Sequence, residues 1–139
     1  MSSPPLTNRE YAYFKVVGLG NQEVITERLG WEPSNAWSVG DKKPRGGVQQ
    51  WMFWTLNSGH DDTKPLDTHI ESLLLTLEMK AETIRQLSMD YELTIQCVGY
   101  YPASGHGANL NREVIRRAAQ LGLAFDLDFY YIDNHDEDE

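Results

Sequence analysis

The stretch Asn111-Arg-Glu-Val-Ile-Arg-Arg-Ala-Ala-Gln-Leu-Gly-Leu-Ala-Phe-Asp-Leu-Asp-Phe-Tyr-Tyr131 changes period half-way along. Its first part has an Asn cap, an acid in the first turn at Glu113 and a closing Gly122, the marks of a capped amphipathic helix. From Phe125 the period becomes two: Phe125, Leu127, Phe129 and Tyr131 alternate with Asp126, Asp128 and Tyr130, as in a strand with one wet face. Upstream, Tyr91 to Tyr101 alternates in the same way, with Tyr91, Leu93, Ile95 and Cys97 opposite Glu92, Thr94 and Gln96. The carboxy-terminal half therefore reads strand, helix, strand.

The amino-terminal half repeats the order. Tyr11 to Gly18 is β-branched and aromatic, with Ala12, Phe14 and Val16 on one side, and predicts the first strand. Asn21 then opens NQEVITERLG, a short helix closed by Gly30, which shares Asn-x-Glu-Val-Ile and Leu-Gly with the helix after Asn111. This reads either as a degenerate duplication or as two capped helices that converged on similar residues. Residues 31–47 hold Pro33, Gly40, Pro44, Gly46 and Gly47 and predict a long loop. Val48 to Leu56, rich in Trp and Phe, predicts the second strand.

From about Leu66 to Met89 a single long helix is expected. Ile70, Leu73, Leu74 and Leu77 form one stripe that Ile84 and Leu87 resume, with Thr68 and Glu71 as a capping box and Pro65 permitting an earlier start. The fold class expected is α+β: a two-layer α/β sandwich with a four-stranded sheet and about three helices. Two right-handed βαβ halves would make it a ferredoxin-like variant, with strand order open. At 139 residues one domain is expected over 1–139, with 1–8 and 134–139 as flexible tails.

Composition narrows the function classes. Twelve Lys and Arg against 21 Asp and Glu give a formal charge of −9, which repels phosphate backbones and makes nucleic acid an unexpected partner. The acidic run Asp136 to Glu139 accounts for much of this and reads as a solvated tail, and the body without it is still acidic. The single cysteine, Cys97, excludes an intramolecular disulfide and a Cys-x-x-Cys site. No secretory leader and no apolar stretch of membrane-spanning length is evident, so a cytoplasmic protein away from membranes is expected.

No chemistry-bearing motif emerges. His60, His69, His106 and His135 are isolated from one another in sequence, without zinc-site spacing, so no metal or cofactor is expected. Cys97 reads as a small packed hydrophobe. Gly18-Leu-Gly20 lacks the rest of a dinucleotide fingerprint, and Ser104-Gly-His-Gly107 lacks the spacing of a nucleophile elbow. No catalytic residue is assigned.

Two surfaces stand out instead. Tyr11, Tyr13, Lys15, Thr94, Gln96, Asp126, Asp128 and Tyr130 all fall on strand sides facing away from the expected core helices, giving an aromatic and acidic candidate binding surface. The loop bearing Lys42, Lys43 and Arg45, flanked by Trp37 and Trp51, is a second candidate that offers charge and stacking planes to an anionic ligand. As a plain connector it would use its Trp residues to plug the core.

The order YAYFKVVG, ITERLGWEPSNAWSVGDK, a Trp-rich strand, a Leu-rich helix and the ending LGLAFDLDFYY resembles the bacterial family called domain of unknown function 4279, over roughly Tyr11 to Tyr131. Leu29-Gly30-Trp31-Glu32-Pro33 with Trp37 and Gly40, and Asp128-Phe-Tyr, carry the resemblance. It implies a small α+β domain without an assigned reaction and supplies no site residue. The function expected is a non-enzymatic binding or protein interaction module, with a protein partner or a second copy as its ligand, in an immunity-like role that suits the acidity. The alternative is a small-molecule-binding regulator or enzyme with a pocket near the Trp37 to Trp51 loop.

Overall fold

A computed structural model describes residues 7–102 and 107–132 of the chain. The expectations for His106, His135, the tail from 134, residues 1–6 and most of the Ser104 to Gly107 loop lie outside these residues. Thr7 and Asn8 are described, exposed and without regular structure.

The first strand, β1 (Arg9–Gly18), is the centre of the sheet. Helix α1 (Gln22–Leu29) follows, capped as its sequence predicts: Asn21 accepts from the Glu23 N–H, and Gly30 closes the helix at φ 74°. Next come β2 (Asn35–Trp37), β3 (Met52–Asn57), α2 (Leu66–Glu78), α3 (Ala81–Leu87), β4 (Glu92–Tyr101), α4 (Arg112–Gln120) and β5 (Ala124–Tyr131). The strand order is β2-β3-β1-β4-β5, antiparallel except for the parallel pair β4 and β5.

The α+β class holds, but the count and connections differ from the four strands and three helices expected. Asn35–Trp37, read as loop, pairs with β3 over three residues, a segment too short for periodicity to reveal. β3 begins at Met52 rather than Val48, because Val48 belongs to a small hairpin in which it bridges Lys42. The single helix expected from Leu66 to Met89 is broken at Lys80, whose φ −124° and ψ 36° leave the helical region. The apolar period continues across that break, so sequence could not show it. Pro65 occupies the N-cap of α2 with no side-chain cap bond, so the capping box read at Thr68 is absent.

The ferredoxin-like reading is also corrected. Among the described residues only β4-α4-β5 is a parallel crossover; β1 and β3 are antiparallel neighbours, with α1 and β2 between them in sequence. The core explains how the layers hold. Ala12, Phe14, Val16, Met52, Trp54, Leu93, Ile95 and Cys97 bury on one sheet face beneath Ile25, Leu29, Leu73, Leu77, Ile84, Leu87 and Ala118 of the described helices. Phe14 meets Trp54 edge-on at 6.1 Å, and each side chain of this size stabilises by about 1.5–3 kcal/mol through removal from water. Trp54 satisfies its indole N–H on Thr26 Oγ1 at 3.0 Å. With every described helix on this side, the opposite face has no helical cover.

Candidate binding surface

Register decides which side chains share the uncovered face. Tyr13 lies between Asn57 and Gln96, Gln96 beside Asp126, Tyr11 beside Val98, Val98 beside Asp128, and Tyr100 beside Tyr130. All seven residues read from the sequence, Tyr11, Tyr13, Lys15, Gln96, Asp126, Asp128 and Tyr130, are thus brought onto one face. Strand alternation is a strong enough rule to find them.

The face is crossed by a polar chain. Lys15 Nζ donates to Gln96 Oε1 at 3.0 Å, and Gln96 Nε2 donates to Asp128 Oδ2 at 3.0 Å. Both halves of the amide are therefore satisfied, which permits Gln96 to be only 5% exposed on a face without helices. The half-solvated strand expected at Tyr91 to Tyr101 is accordingly wetter in prospect than in fact, since Val98 is buried there as well.

Aromatic stacks flank this chain. Tyr11 and Tyr13 lie nearly parallel with centroids 6.4 Å apart. Tyr100 stacks on Tyr130 at 5.1 Å, and the Arg9 guanidinium sits 4.7 Å above the Tyr100 ring. Trp37 stacks on Phe53 at 4.3 Å across β2 and β3. Burial pushes the Tyr13 hydroxyl above its ordinary pKa, and Asp128 and Asp126 push it further. Burial and then Tyr100 do the same to Tyr11. Both phenols stay neutral in ordinary buffers and present hydrogen-bond donors.

The second candidate is dispersed. Trp37 belongs to the uncovered face, while Lys42, Lys43 and Arg45 stand exposed on the hairpin after it. Trp51 is 57% exposed rather than a core plug. It lines a cleft of about 760 Å³ with Val17, Gly18, Leu19, Met89, Asp90, Tyr91 and Glu92, whose walls include none of the three basic residues.

One arrangement went unseen in the sequence. Ser58 and His69, eleven residues apart, meet with Oγ 2.5 Å from Nδ1, and the His60 ring lies edge-on to His69 at 5.9 Å. The chain bends back from β3 onto the start of α2 to make this contact, and no short motif signals it. Ser58 and His60 also border a cleft of about 400 Å³ with Tyr11, Tyr13, Asn35, Thr55 and Asn57. His69 is fully buried, its Nε2 has no hydrogen-bond partner among the described residues, and burial followed by His60 holds its pKa below the usual value. Burial and the neighbouring His60 outweigh the backbone groups that favour the charged ring, so this imidazole favours its neutral form. Among the described residues no three His, Cys, Asp or Glu side chains gather as a metal site, and no helix is long and apolar enough to cross a membrane.

The family described as Domain of unknown function (DUF4279) matches residues 8–132, from the residue before β1 to the one after β5. The chain belongs to this family. In this DUF4279 domain the matched span contains the whole sheet and all the face residues above. Neither a search of curated proteins nor one of solved structures finds a match.

Proposed function

We propose that this DUF4279 domain is a non-enzymatic binding module whose helix-free sheet face receives a partner protein with a basic surface. The observation that carries this is the continuous row of Tyr13, Gln96 and Asp126, with Asp128 and Tyr130 beside it, on a face that no described helix covers. Rigid aromatic planes beside carboxylates that form no ion pair among the described residues favour a cationic protein surface, and the charge of −9 steers such a partner inward. A basic toxin held by an immunity-like grip is the kind of partner that suits this size and charge.

The test is selection of random phage-displayed peptides on the immobilised protein, repeated on a Tyr13→Ser, Tyr130→Ser variant, with light scattering on both. Enrichment of Lys- and Arg-containing sequences that the variant loses supports the reading. Enrichment without basic residues, or retention by the variant, overturns it, as does a wild-type dimer that the variant dissolves, since a second copy then covers the face.

The small-molecule reading is favoured by one observation, the 760 Å³ cleft beside Trp51. Loss of the selected ligands in Trp51→Ala, with the face variant unaffected, would put that cleft in its place.

A further inference from the structure

We infer that the partner enters as an extended segment that adds a strand to the outer edge of β5, with basic residues at alternate positions beside Asp126 and Asp128. The inference rests on the binding reading above and names how the partner is held. β5 ends the strand order, and no described strand pairs with the outer side of its residues Ala124 to Tyr130, whereas the opposite edge, β2, runs only three residues. An edge of that length presents a row of backbone donors and acceptors, which a second extended chain satisfies.

The side chains select the occupant. Asp126 and Asp128 share the uncovered face, spaced by about 7 Å along the strand. Neither forms an ion pair among the described residues; Asp128 accepts only from Gln96. On the opposite face of the same strand Leu127 is 47% exposed. A segment whose side chains alternate basic and apolar therefore meets carboxylates on one face and the Leu127 side chain on the other.

A second copy meets the reverse. Two-fold antiparallel pairing centred on residue 126 or 128 sets that aspartate against its own copy, and pairing centred on Leu127 sets Asp126 against Asp128. Like charges directly opposite destabilise a strand pair. Pairing centred on Phe129 escapes this, but it still joins two chains of charge −9. The acids thus exclude most self-pairing while inviting a basic strand.

The probe is a capped peptide of alternating Lys and Val titrated into isotope-labelled wild-type protein and followed by backbone amide shifts. Comparison peptides carry the same residues as a Lys block and a Val block, or alternate with every second amide N-methylated so that one edge cannot donate. The expected result is binding with shifts along Ala124–Tyr131, weakened about tenfold by Asp126→Asn with Asp128→Asn, and lost when N-methylation blocks one edge but not the other. Equal binding of the alternating and block peptides, or indifference to N-methylation on both edges, overturns strand addition. Shifts confined to Tyr11, Tyr13 and Lys15 also overturn it while leaving the face reading standing. Light scattering that shows a wild-type dimer at the edge overturns it in favour of a second copy.

Discussion

Ser58 Oγ lies 2.5 Å from Nδ1 of His69, and Ser72 Oγ reaches back to donate to the Ser58 carbonyl at 3.1 Å. Together these bonds fasten the turn after β3 to the first turns of α2. His60 N–H donates to the same Oγ at 3.3 Å, so this one hydroxyl ties together the turn and the buried ring.

That arrangement fixes the sign of a pH effect. Burial and His60 lower the His69 pKa in the fold, with backbone groups of Lys64, Asp61 and Glu10 opposing but closing no bond to Nε2. The unfolded chain therefore takes up the proton first as pH falls through the ordinary value of 6.5. Stability contributed by neutral His69 is present above that pH and declines below it, at no more than about 1.4 kcal/mol per pH unit for one proton. Urea unfolding between pH 5 and 7.5 should show a decline that His69→Gln reduces; an identical slope in the variant would refute the assignment.

Arg117 joins α4 to α2 through two carboxylates. Its guanidinium is bidentate on Glu78, with Nε and Nη2 at 2.8 and 2.7 Å, and Nη1 reaches Glu71 at 2.5 Å. The arginine side chain is only 13% exposed, so these bonds are screened less than ordinary surface pairs. Arg117→Ala should cost about 1–2 kcal/mol in chemical denaturation, and Arg117→Lys a smaller part because the fork is lost. Since Arg117 holds the Glu78 carboxyl below its usual pKa of 4.5, the contribution is present above that pH and fades below it. A Glu78→Gln variant should show a weaker acid dependence.

Tyr101 folds its ring over Gly99 and donates to Glu10 Oε2 at 2.8 Å, tying β4 to β1. A methyl group at Gly99 would stand 2.5 Å from Tyr101 Cζ, so the ring must give way. Gly99→Ala should destabilise by about 1–3 kcal/mol, more than the roughly 1 kcal/mol expected for Tyr101→Phe, which removes the hydroxyl alone. Melting curves of the two variants decide; equal or reversed effects would count against the packing argument.

How far the sequence could be read follows from what each rule sees. Alternation over eight or more residues located β1, β4 and β5 and put Tyr13, Gln96 and Asp128 on a common face, because side-chain direction in a strand is set locally. The same rule is blind to β2, three residues long, and to which strands are neighbours, which is why β1 beside β3 in antiparallel sense was missed. Helical periodicity found the stripe through Leu77 and Ile84 but not the break at Lys80, since both sides of the break keep the same phase. Contacts such as Ser58 with His69 depend on how a loop returns, and the residues themselves carry no sign of it.

Cys97 gives a direct test of the core. Its thiol is fully buried on the helix side of β4, between Ala12 of β1 and Leu127 of β5 in register, and burial pushes its pKa up to about 12, with Asp126 adding to the effect. At pH 8 only about one part in ten thousand of such a thiol is ionised, and no reagent reaches it in the folded chain. Labelling by Ellman's reagent should therefore be at least about a hundredfold slower in buffer than in denaturing urea. Because reaction must pass through opened molecules, its pH dependence should follow an ordinary thiol rather than the folded one. Fast native labelling would show that β4 and β5 separate readily, and the packing of Phe125 and Phe129 against the core would need revision.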